Sequence, residues 1–430
     1  MYFLDDPSHP NCLGVRLLFH GQLDRTAAIA AAEAIFQRHP GFQVTVDPER
    51  LEFVDRGEPF RNFRWIERAT DDQAYQMTPT DVHRDGGAVF WFVVSPNESH
   101  VTLIGNHTLG DGIGGLQVTS DWMLEYDRLI NGGKSKLSKL DPSRLADRGG
   151  LNLLNRKYLS KLMYQPVALF GASKFLFRRI VPLLSKSASE PPPLVEYPGV
   201  VTQRVSSDQS ERIKSLASDL SVFLNDLLTA AFFVALANWR NRHSNQNQKD
   251  WIRLLIPLSM RTIADRRLTA CNRVSFVQID RQPCQMTDHG EFISGIAREL
   301  RVIRQWQLDR TLLVALRIAS LIPGQIKRLA TKSRNLATTL LTNVGTPFDR
   351  LPLKQSDRNM NVGNLRMFAF DMLAPLLHGM PLAVAVAEFQ SELSISVNFD
   401  ARFVSRSQSE ELLSDLLTAL SKLCDELSAA

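Results

Sequence analysis

The amino-acid sequence predicts an α/β fold in two domains, and three observations support this prediction. Short apolar runs typical of buried strands alternate with longer helical patterns along the chain. The stretch VTLIGNHTLGDGIGGLQVTSDW at 101–122 indicates a buried strand, a tight glycine turn and a helix packed on one side. Three consecutive prolines in SASEPPPLVEYP make an extended, semi-rigid spacer. We therefore predict an N-terminal domain at 1–187, a Pro-rich linker at 188–198 and a C-terminal domain at 199–430.

Composition excludes several classes of protein. The chain has 430 residues, of which 44% are hydrophobic and 22% charged, enough for a large core. The net charge of +5 is mild and the basic residues are spread out, so we expect no nucleic-acid partner. The four cysteines lack the spacing of a metal site, which favours free thiols in a reducing compartment. The N-terminal stretch MYFLDDPSHP is acidic where a signal peptide is basic, so we expect a cytoplasmic protein.

The first domain is predicted to alternate strands and helices around one sheet. Asp24 suits the N-cap of an Ala-rich helix, which His39-Pro40-Gly41 ends. Strands are predicted at 13–19, 42–46, 51–54 and 88–94 and at the start of 101–122, with irregular segments at 55–87 and 131–148.

The second domain is predicted to begin with a strand and to contain a long buried helix. Residues 221–239, SVFLNDLLTAAFFVALANW, have the length of a buried helix rather than a strand. The other predicted elements are strands at 200–205, 252–257, 340–344, 382–389 and 393–399, and helices at 207–220, 291–306, 311–337 (with a break at Pro323-Gly324) and 407–427.

The residue with the clearest chemical potential is His107, at the end of the predicted strand in 101–122. A side chain at the end of a strand lies at the rim of a sheet, where it can reach a reacting group. Histidine has an unperturbed pKa of about 6.5, so near neutral pH it can accept a proton from a hydroxyl, thiol or amine. A histidine close to an aspartate is also frequently structural, and the letters NHTLGDG alone leave both interpretations open.

The stretch NHTLGDG resembles the HHxxxDG motif of the CoA-dependent acyltransferase superfamily. This superfamily contains chloramphenicol acetyltransferases, plant BAHD acyltransferases, peptide-synthetase condensation domains and bacterial wax ester synthase/diacylglycerol acyltransferases. The second histidine of the motif is the general base and matches His107, while Asp111 and Gly112 match its last two residues. The first histidine, at a position that varies in the superfamily, is Asn106 here. The resemblance implies that His107 is catalytic and that Asn106 contacts the substrate.

A second matching element lies in the C-terminal domain. In the superfamily a Pro-x-x-x-Arg turn is followed by a Gly-Asn pair and a strand; Pro257, Arg261 and Asn272 match, and Cys271 replaces the glycine. In several members the motif aspartate turns away from the substrate and pairs with this arginine. The resemblance therefore implies a structural bridge between Asp111 and Arg261, with Asn272 at the substrate. A buried carboxylate is costly unless it is paired, which makes such a bridge physically reasonable.

Three further stretches resemble the wax ester synthase-like branch. The opening YFLDDPSHPNCLGVRLLFHGQLD, followed by an Ala-rich helix, is similar to the start of those proteins. The pair Asn225-Asp226 resembles an Asn-Asp pair that opens a buried helix, with simple helix capping as the alternative. The stretch TNVGTP at 342–347 resembles a Ser-Asn-Val-Pro-Gly-Pro signature. There Thr342 and Asn343 would donate hydrogen bonds to a tetrahedral oxyanion, with turn formation as the alternative.

The resemblance covers nearly the whole chain and implies a specific architecture and reaction. The fold would be two similar chloramphenicol acetyltransferase-like domains, each a mixed sheet with flanking helices, with a tunnel at their interface. The reaction would transfer an acyl group from a thioester, with acyl-CoA as co-substrate, to an alcohol or amine acceptor. It needs no bound cofactor, no metal and no covalent enzyme intermediate, and we expect a monomer. Two alternatives stay open: a condensation-type acyltransferase with a carrier-protein donor, and a catalytically inactive binding homologue.

The segment at 151–184 leaves the question of membrane contact open. It is apolar with scattered arginines and lysines, and two prolines interrupt it. A basic amphipathic segment can lie on an anionic membrane surface, which would make the protein peripheral. The alternative is a pair of helices that cover the domain junction with their basic residues solvated.

Overall fold

The structure, a computed structural model, consists of two main mixed sheets with helices packed around them. The linker predicted at 188–198 and residues 151–177 of the basic segment lie outside the part that it describes. The described residues are 10–47, 49–50, 52–55, 62–78, 87–149, 178–184, 199–244, 247–331, 336–356, 359–377 and 379–427.

The described residues of the first part of the chain form six strands and two helices. These are β1 (Cys12–His20), α1 (Arg25–Arg38), β2 (Thr45–Asp47), β3 (Glu52–Val54), β4 (Phe63–Glu67), β5 (Ala88–Val94), β6 (Glu98–Asn106) and α2 (Gly112–Asn131). The α1 helix begins as predicted, because the Asp24 side chain accepts a hydrogen bond from the Ala27 backbone N–H at 2.8 Å.

The second part supplies nine further strands and six helices among the described residues. These are β7 (Gly199–Arg204), α3 (Ser207–Asp219), α4 (Leu224–His243), β8 (Ile252–Ser259), β9 (Val274–Arg281), α5 (His289–Trp306), α6 (Arg310–Ser320), α7 (Gln325–Thr331), β10 (Thr339–Asn343), β11 (Gln355–Ser356), β12 (Asn359–Val362), β13 (Leu365–Leu373), β14 (Leu382–Phe389), β15 (Glu392–Phe399) and α8 (Arg406–Leu427).

The strand order shows how the two parts of the chain are joined. The first sheet has the order β11-β12-β13-β1-β6-β5-β4, and the second has the order β7-β15-β14-β10-β8-β9. Both sheets are mixed, since β4–β5 and β10–β14 are parallel pairs among antiparallel ones. Strands β11–β13 belong to the 199–430 part of the chain but lie in the first sheet, where β13 pairs with β1. The first sheet therefore contains strands from both predicted domains. The domain boundary at 188–198 remains a prediction from the sequence.

A continuous hydrophobic core connects the two sheets. One cluster of buried side chains joins α1, α2 and the first sheet to residues of the second sheet, among them Leu255, Leu340 and Ala383. A second cluster packs α3, α4, α5 and α8 against the other face of the second sheet. The second sheet is thus covered on both faces, which explains its nearly uninterrupted apolar strands.

Three local predictions need correction. The segment at 55–87 contains β4, an edge strand with half-exposed residues and one neighbour, so its apolar alternation is too weak to read. The strand predicted at 42–46 begins at Thr45, because Pro40–Phe42 forms a short 3-10 turn. The loop predicted at 131–148 contains the 3-10 segment Pro142–Gly149.

The described end of the basic segment packs against the second sheet. Ile180 forms a parallel bridge with Trp251, and the Arg178 guanidinium lies 3.7 Å from the Trp251 ring centroid. Leu183 is fully buried. Residues 178–184 therefore follow the interpretation in which the segment covers protein rather than lipid. In the described ranges, no single helix is long and apolar enough to cross a membrane, and the bent pair α3–α4 meets that test together.

Candidate active site

His107 follows β6 directly and lies in a tight turn before α2. Its backbone N–H donates to the carbonyl of Asn11 at 2.8 Å, and its side chain is buried, with 8% of the residue exposed. β6 is buried along nearly its whole length and central in the sheet, between β1 and β5. A side chain at the end of such a strand is held by the whole sheet, which gives the precise placement that catalysis needs.

The turn depends on Asn106 and Gly110. The Asn106 side-chain oxygen accepts from the Thr108 N–H at 2.9 Å, and the Asn106 carbonyl accepts from Leu109 at 3.0 Å. A Cβ on Gly110 would lie 2.4 Å from Cζ of Phe42, so any other residue would have to displace this buried ring. Asn106, which we predicted to contact the substrate, is fully buried and uses its amide oxygen to form this turn.

Asp111 caps α2 and pairs with Arg261. One carboxylate oxygen accepts from the Gly114 N–H at 2.8 Å, and the other accepts from the Arg273 N–H at 2.7 Å and from Nη1 of Arg261 at 2.7 Å. The carboxylate is buried, and these three donors balance the cost of burying its charge. The structure thus contains the Asp111–Arg261 pair, with Asp111 in a structural position.

Arg261 connects this cap to the second sheet. It follows β8 by two residues, and its Nη2 donates to the carbonyl of Cys271 at 2.7 Å. Arg261 and Asp111, the N-cap of α2, are 150 residues apart in the chain. Pro257, predicted to open a turn, lies instead within β8 opposite Phe276. The residues after β8, with the Arg261 side chain, and the segment before β9 together contact the start of α2.

Asn272 meets the histidine itself. Its Nδ2 donates to the His107 carbonyl at 2.7 Å and lies 3.3 Å from Nδ1 of the His107 ring. Its Oδ1 accepts from the Val274 N–H at 3.2 Å, so the two ends of the amide are distinguished by their partners. The side chain predicted to contact substrate is therefore placed behind the candidate base, on its Nδ1 side.

Burial keeps the His107 ring neutral. Removal of the ring from water lowers its pKa from the usual value, while a hydrogen bond to its own backbone and the charge of Asp111 act in the opposite direction. With Nδ1 beside the backbone carbonyl and Asn272, Nε2 is the nitrogen left to exchange a proton with a substrate. A neutral imidazole with this orientation can act as a base at neutral pH.

The turn after β10 approaches the start of α2. A Cβ on Gly112 would lie 3.8 Å from Cγ1 of Val344 and 3.5 Å from the terminal methyl of Met372. Thr342 is half-buried on β10, and the Asn343 side-chain oxygen accepts from the Gly345 N–H at 2.9 Å. Asn343 thus forms the turn, as the alternative interpretation had it, while its amide nitrogen keeps the capacity to donate.

The Asn225-Asp226 pair lies in the helical layer of the second sheet and caps α4. Asp226 accepts from the Phe223 N–H at 3.3 Å and forms two hydrogen bonds with Arg304, at 3.0 and 3.1 Å. Its carboxylate is buried. Both features fit the capping interpretation of the pair.

Sequence reasoning identified Asn272 but missed His39 and residues 268–270, which precede it. His39 is fully buried between Asp121 and the Ala270 backbone, yet in the sequence it looked like part of a helix stop. The useful signal would have been a histidine next to an Ala-rich buried helix rather than on a polar face. The described residues contain no group of three or more histidine, cysteine or carboxylate side chains that could hold a metal.

Comparison with known proteins places this geometry in a known fold. No protein-family model matches the chain, and no curated protein matches it by sequence. Solved structures do match. The first condensation domain of the calcium-dependent antibiotic synthetase is 11% identical, with a TM-score of 0.68 over 97% of this chain and 91% of that one.

Two other similar structures carry different names. The epimerization domain from the third module of tyrocidine synthetase B is 13% identical, with a TM-score of 0.61 over 97% of this chain and 93% of that one. The X-domain from teicoplanin biosynthesis is 14% identical, with a TM-score of 0.63 over 99% and 93%. At these identities the likeness shows the fold alone, and one fold supports different reactions. The chain therefore has the condensation-domain fold of two similar α/β units, which confirms the predicted fold class.

Proposed function

We propose that this protein is an acyltransferase that moves an acyl group from a thioester to a hydroxyl or amine, with His107 as general base. The observation that carries the proposal is the buried, neutral ring at the end of β6, with Nδ1 turned toward its own carbonyl and Asn272. The motif aspartate cannot relay the proton, because its oxygens are used by Gly114, Arg273 and Arg261. Proton transfer then depends on His107 alone.

The proposed reaction needs one base and no covalent intermediate. Nε2 of His107 takes the proton of the acceptor hydroxyl or amine while its oxygen or nitrogen attacks the thioester carbonyl carbon. The carbonyl becomes a tetrahedral oxyanion. Its collapse breaks the carbon–sulfur bond, and the imidazolium returns the proton to the leaving thiolate, so that ester or amide and free thiol are formed.

We assign the donors for the oxyanion to the end of β10 in the second sheet. Thr342 and Asn343 are the last residues of β10, just before Val344, which approaches Gly112, and their hydroxyl and amide groups can donate. Removal of such a donor typically lowers a rate by about 10²–10³. Thr342 is the better candidate, since the Asn343 oxygen is already bound to Gly345.

The identity of the donor is the finer part of the proposal. Acyl-CoA as donor, an alcohol as acceptor and closeness to wax ester synthase-like enzymes rest on the opening stretch of the sequence and on the stretches around Asn225 and Thr342. A carrier-protein thioester is the second candidate, and the likeness to condensation domains of peptide synthetases favours it. Peripheral membrane contact through 151–184 remains a prediction.

A donor and acceptor screen tests the function. Purified protein is incubated with acyl-CoAs of several chain lengths and with acyl-carrier thioesters, each against a panel of alcohols and amines. Thiol release and product mass are measured, with His107→Ala as the blank and His289→Ala, a histidine paired with Glu426 on the second unit, as the matched control. Products in wild type and His289→Ala but not in His107→Ala support the proposal. Turnover that His107→Ala retains would overturn it.

A further inference from the structure

The segment at 268–273, which leads into β9, runs along one face of α2 and is held there at several points. Asp111, Gly114, Gln117 and Asp121 are spaced three or four residues apart, so they share that face. Gln117 donates to the Leu268 carbonyl at 3.1 Å, and Asp111 accepts from the Arg273 N–H at 2.7 Å. These bonds lie at the two ends of the segment.

Gly114 lets the segment approach the helix closely. A Cβ at this position would lie 3.0 Å from the Cys271 carbonyl oxygen and 3.4 Å from its backbone nitrogen. The Cys271 carbonyl is also bound by Arg261 at 2.7 Å. The backbone on either side of Asn272 is therefore in van der Waals contact with α2 and has little freedom.

His39 holds the middle of the same segment. Its Nδ1 lies 3.1 Å from the Ala270 backbone nitrogen, and its Nε2 lies 3.0 Å from Oδ2 of Asp121. A backbone N–H can only donate, so Nδ1 is the acceptor and Nε2 carries the proton that Asp121 accepts. The ring is fully buried, and burial lowers its pKa, which favours this single neutral tautomer. His39 thus joins the end of α1, the middle of α2 and the 268–273 segment.

We infer that His39 is a positioning residue for His107, acting through Ala270 and Asn272. Ala270 is two residues from Asn272, whose amide meets both the carbonyl and the Nδ1 side of His107. The hydrogen bond from Ala270 to His39 fixes the position of the 268–273 segment relative to α2. It thereby also fixes the position of the Asn272 amide. Loss of this bond shifts Asn272 and with it the His107 carbonyl that Asn272 binds. That carbonyl is the acceptor for Nδ1–H, so its movement disturbs the tautomer that presents Nε2 to a substrate. The inference rests on the proposed function for its effect on rate, but the effect on the His107 ring stands without it.

Two substitutions at His39 separate its two hydrogen bonds. The side-chain oxygen of His39→Asn falls near the place of Nδ1 and can still accept from Ala270. The amide nitrogen of His39→Gln falls near the place of Nε2 and can still donate to Asp121. If the bond to Ala270 matters, His39→Asn keeps kcat within about threefold, while His39→Gln lowers kcat by about ten- to a hundredfold with little change in KM. A role in stability alone would lower the melting temperature of both variants and leave kcat of the folded protein unchanged, which would overturn the inference.

The state of the His107 ring is read without any substrate. Protein labelled with ¹⁵N-histidine gives separate long-range ¹H–¹⁵N patterns for the Nδ1–H and Nε2–H tautomers, and His107→Gln identifies the His107 signals. We expect an Nδ1–H pattern in wild type and His39→Asn, and a mixed pattern in His39→Gln. An unchanged His107 pattern in folded His39→Gln would overturn the inference, whether or not acyl transfer is found. If His39→Gln does not fold, Gln117→Met removes the neighbouring bond to Leu268 and should shift the same signals less; no shift there counts against the inference.

Discussion

Two aspartates begin buried helices in this protein, and each pairs with an arginine from a distant element. Asp111 lies 2.7 Å from Arg261 at the start of α2, and Asp226 lies 3.0 Å from Arg304 in the first turn of α4. Both carboxylates are almost fully buried. Both follow the same physical rules, since a helix N-terminus favours a negative charge and a buried carboxylate needs a partner.

The two pairs differ in what the arginine also holds. Arg261 donates to the Cys271 carbonyl, next to the Asn272 side chain that contacts His107. Arg304 lies over the ring of Phe223, whose residue is 62% exposed, on the surface of the helical layer. The same local device therefore supports the candidate site in one place and caps a helix in the other. An Asp–Arg pair says little about function until its neighbours are known.

The largest expected effect comes from replacing His107, which lies near Asp111 and, among the described residues, has no counterpart near Asp226. His107→Ala should lower the rate of acyl transfer by about 10²–10⁴ without unfolding the protein, because it removes the proposed general base. Asn225→Ala, the matched change beside the other aspartate, should leave the rate within about twofold of wild type. Steady-state kinetics on the substrate found by the screen, with circular dichroism as a folding check, measure both. An equal loss of rate in His107→Ala and Asn225→Ala would contradict the assignment of the active site to the region around Asp111.

The next effect tests what the two pairs share. Asp111→Asn and Asp226→Asn should each lower the free energy of unfolding by up to about 3–5 kcal/mol, since each leaves a partly buried arginine without its charge partner. The loss should be less than additive with Arg261→Ala or Arg304→Ala, respectively. Urea denaturation measures the stability. The rate per folded molecule should fall for Asp111→Asn less than for His107→Ala, and a larger fall would give Asp111 a direct part in the chemistry.

Acid should destabilise the first sheet before it destabilises the second sheet and its helices. Burial lowers the pKa of His39 and His107, and it lowers that of His100 to about 4. Each ring binds a proton more readily in the unfolded chain, so the free energy of unfolding falls as the pH drops below about 6.5. For His100 the difference corresponds to about 3 kcal/mol by pH 4. Hydrogen exchange at pH 7 and pH 5, corrected for intrinsic rates, should show protection lost in β1 and β6 while α4 keeps it.

The pH dependence of the rate should report the protonation of His107. Because the pKa of His107 is lowered, kcat/KM should be flat near pH 7 and should decline only below about pH 6.5 as the base becomes protonated. A pH–rate profile in His39→Asn and wild type should have the same acid limb. An acid limb centred above pH 7 would contradict a buried, neutral base.

The smallest effect probes the contact between α2 and the 268–273 segment. Gly114→Ala should lower the free energy of unfolding by about 1–3 kcal/mol, because its new Cβ meets the Cys271 carbonyl at 3.0 Å. Gly295→Ala, in the middle of α5, meets nothing within 4 Å and should stabilise by up to about 1 kcal/mol. Thermal denaturation compares the two. A stabilised Gly114→Ala would mean that the segment moves aside freely.

The elements that could be predicted are those whose signal is local. The strand, turn and helix around His107 are specified by an apolar run, a cap and glycines within about thirty residues, which matches the observed β6 and α2. The Asp111–Arg261 pair came from resemblance, not from any local pattern. Local reasoning failed for β13, whose place beside β1 joins Arg16 to Asp371 across 355 residues.

The same limit applies to the side chains of the site. Asn272 was identified, but the sequence does not say which neighbour its amide meets, and in the structure that neighbour is His107. His39 looked like a helix stop because its partners Asp121 and Ala270 are 82 and 231 residues away. Burial and orientation arise from packing between distant segments, so they become visible only when the chain is folded.

The place of β13 also affects the order in which the protein can fold. β1 is an inner strand of the first sheet, and its neighbour on one side, β13, lies about 350 residues further along the chain. At about 5–20 residues per second, β13 leaves the ribosome roughly 20–70 seconds after β1. During that interval the backbone groups of β1 that pair with β13 have no strand partner, and Arg16 has no Asp371 to bind. The first sheet to be synthesised is therefore completed only when the last part of the chain arrives, and a nascent chain stalled before residue 365 leaves that edge available to other strands.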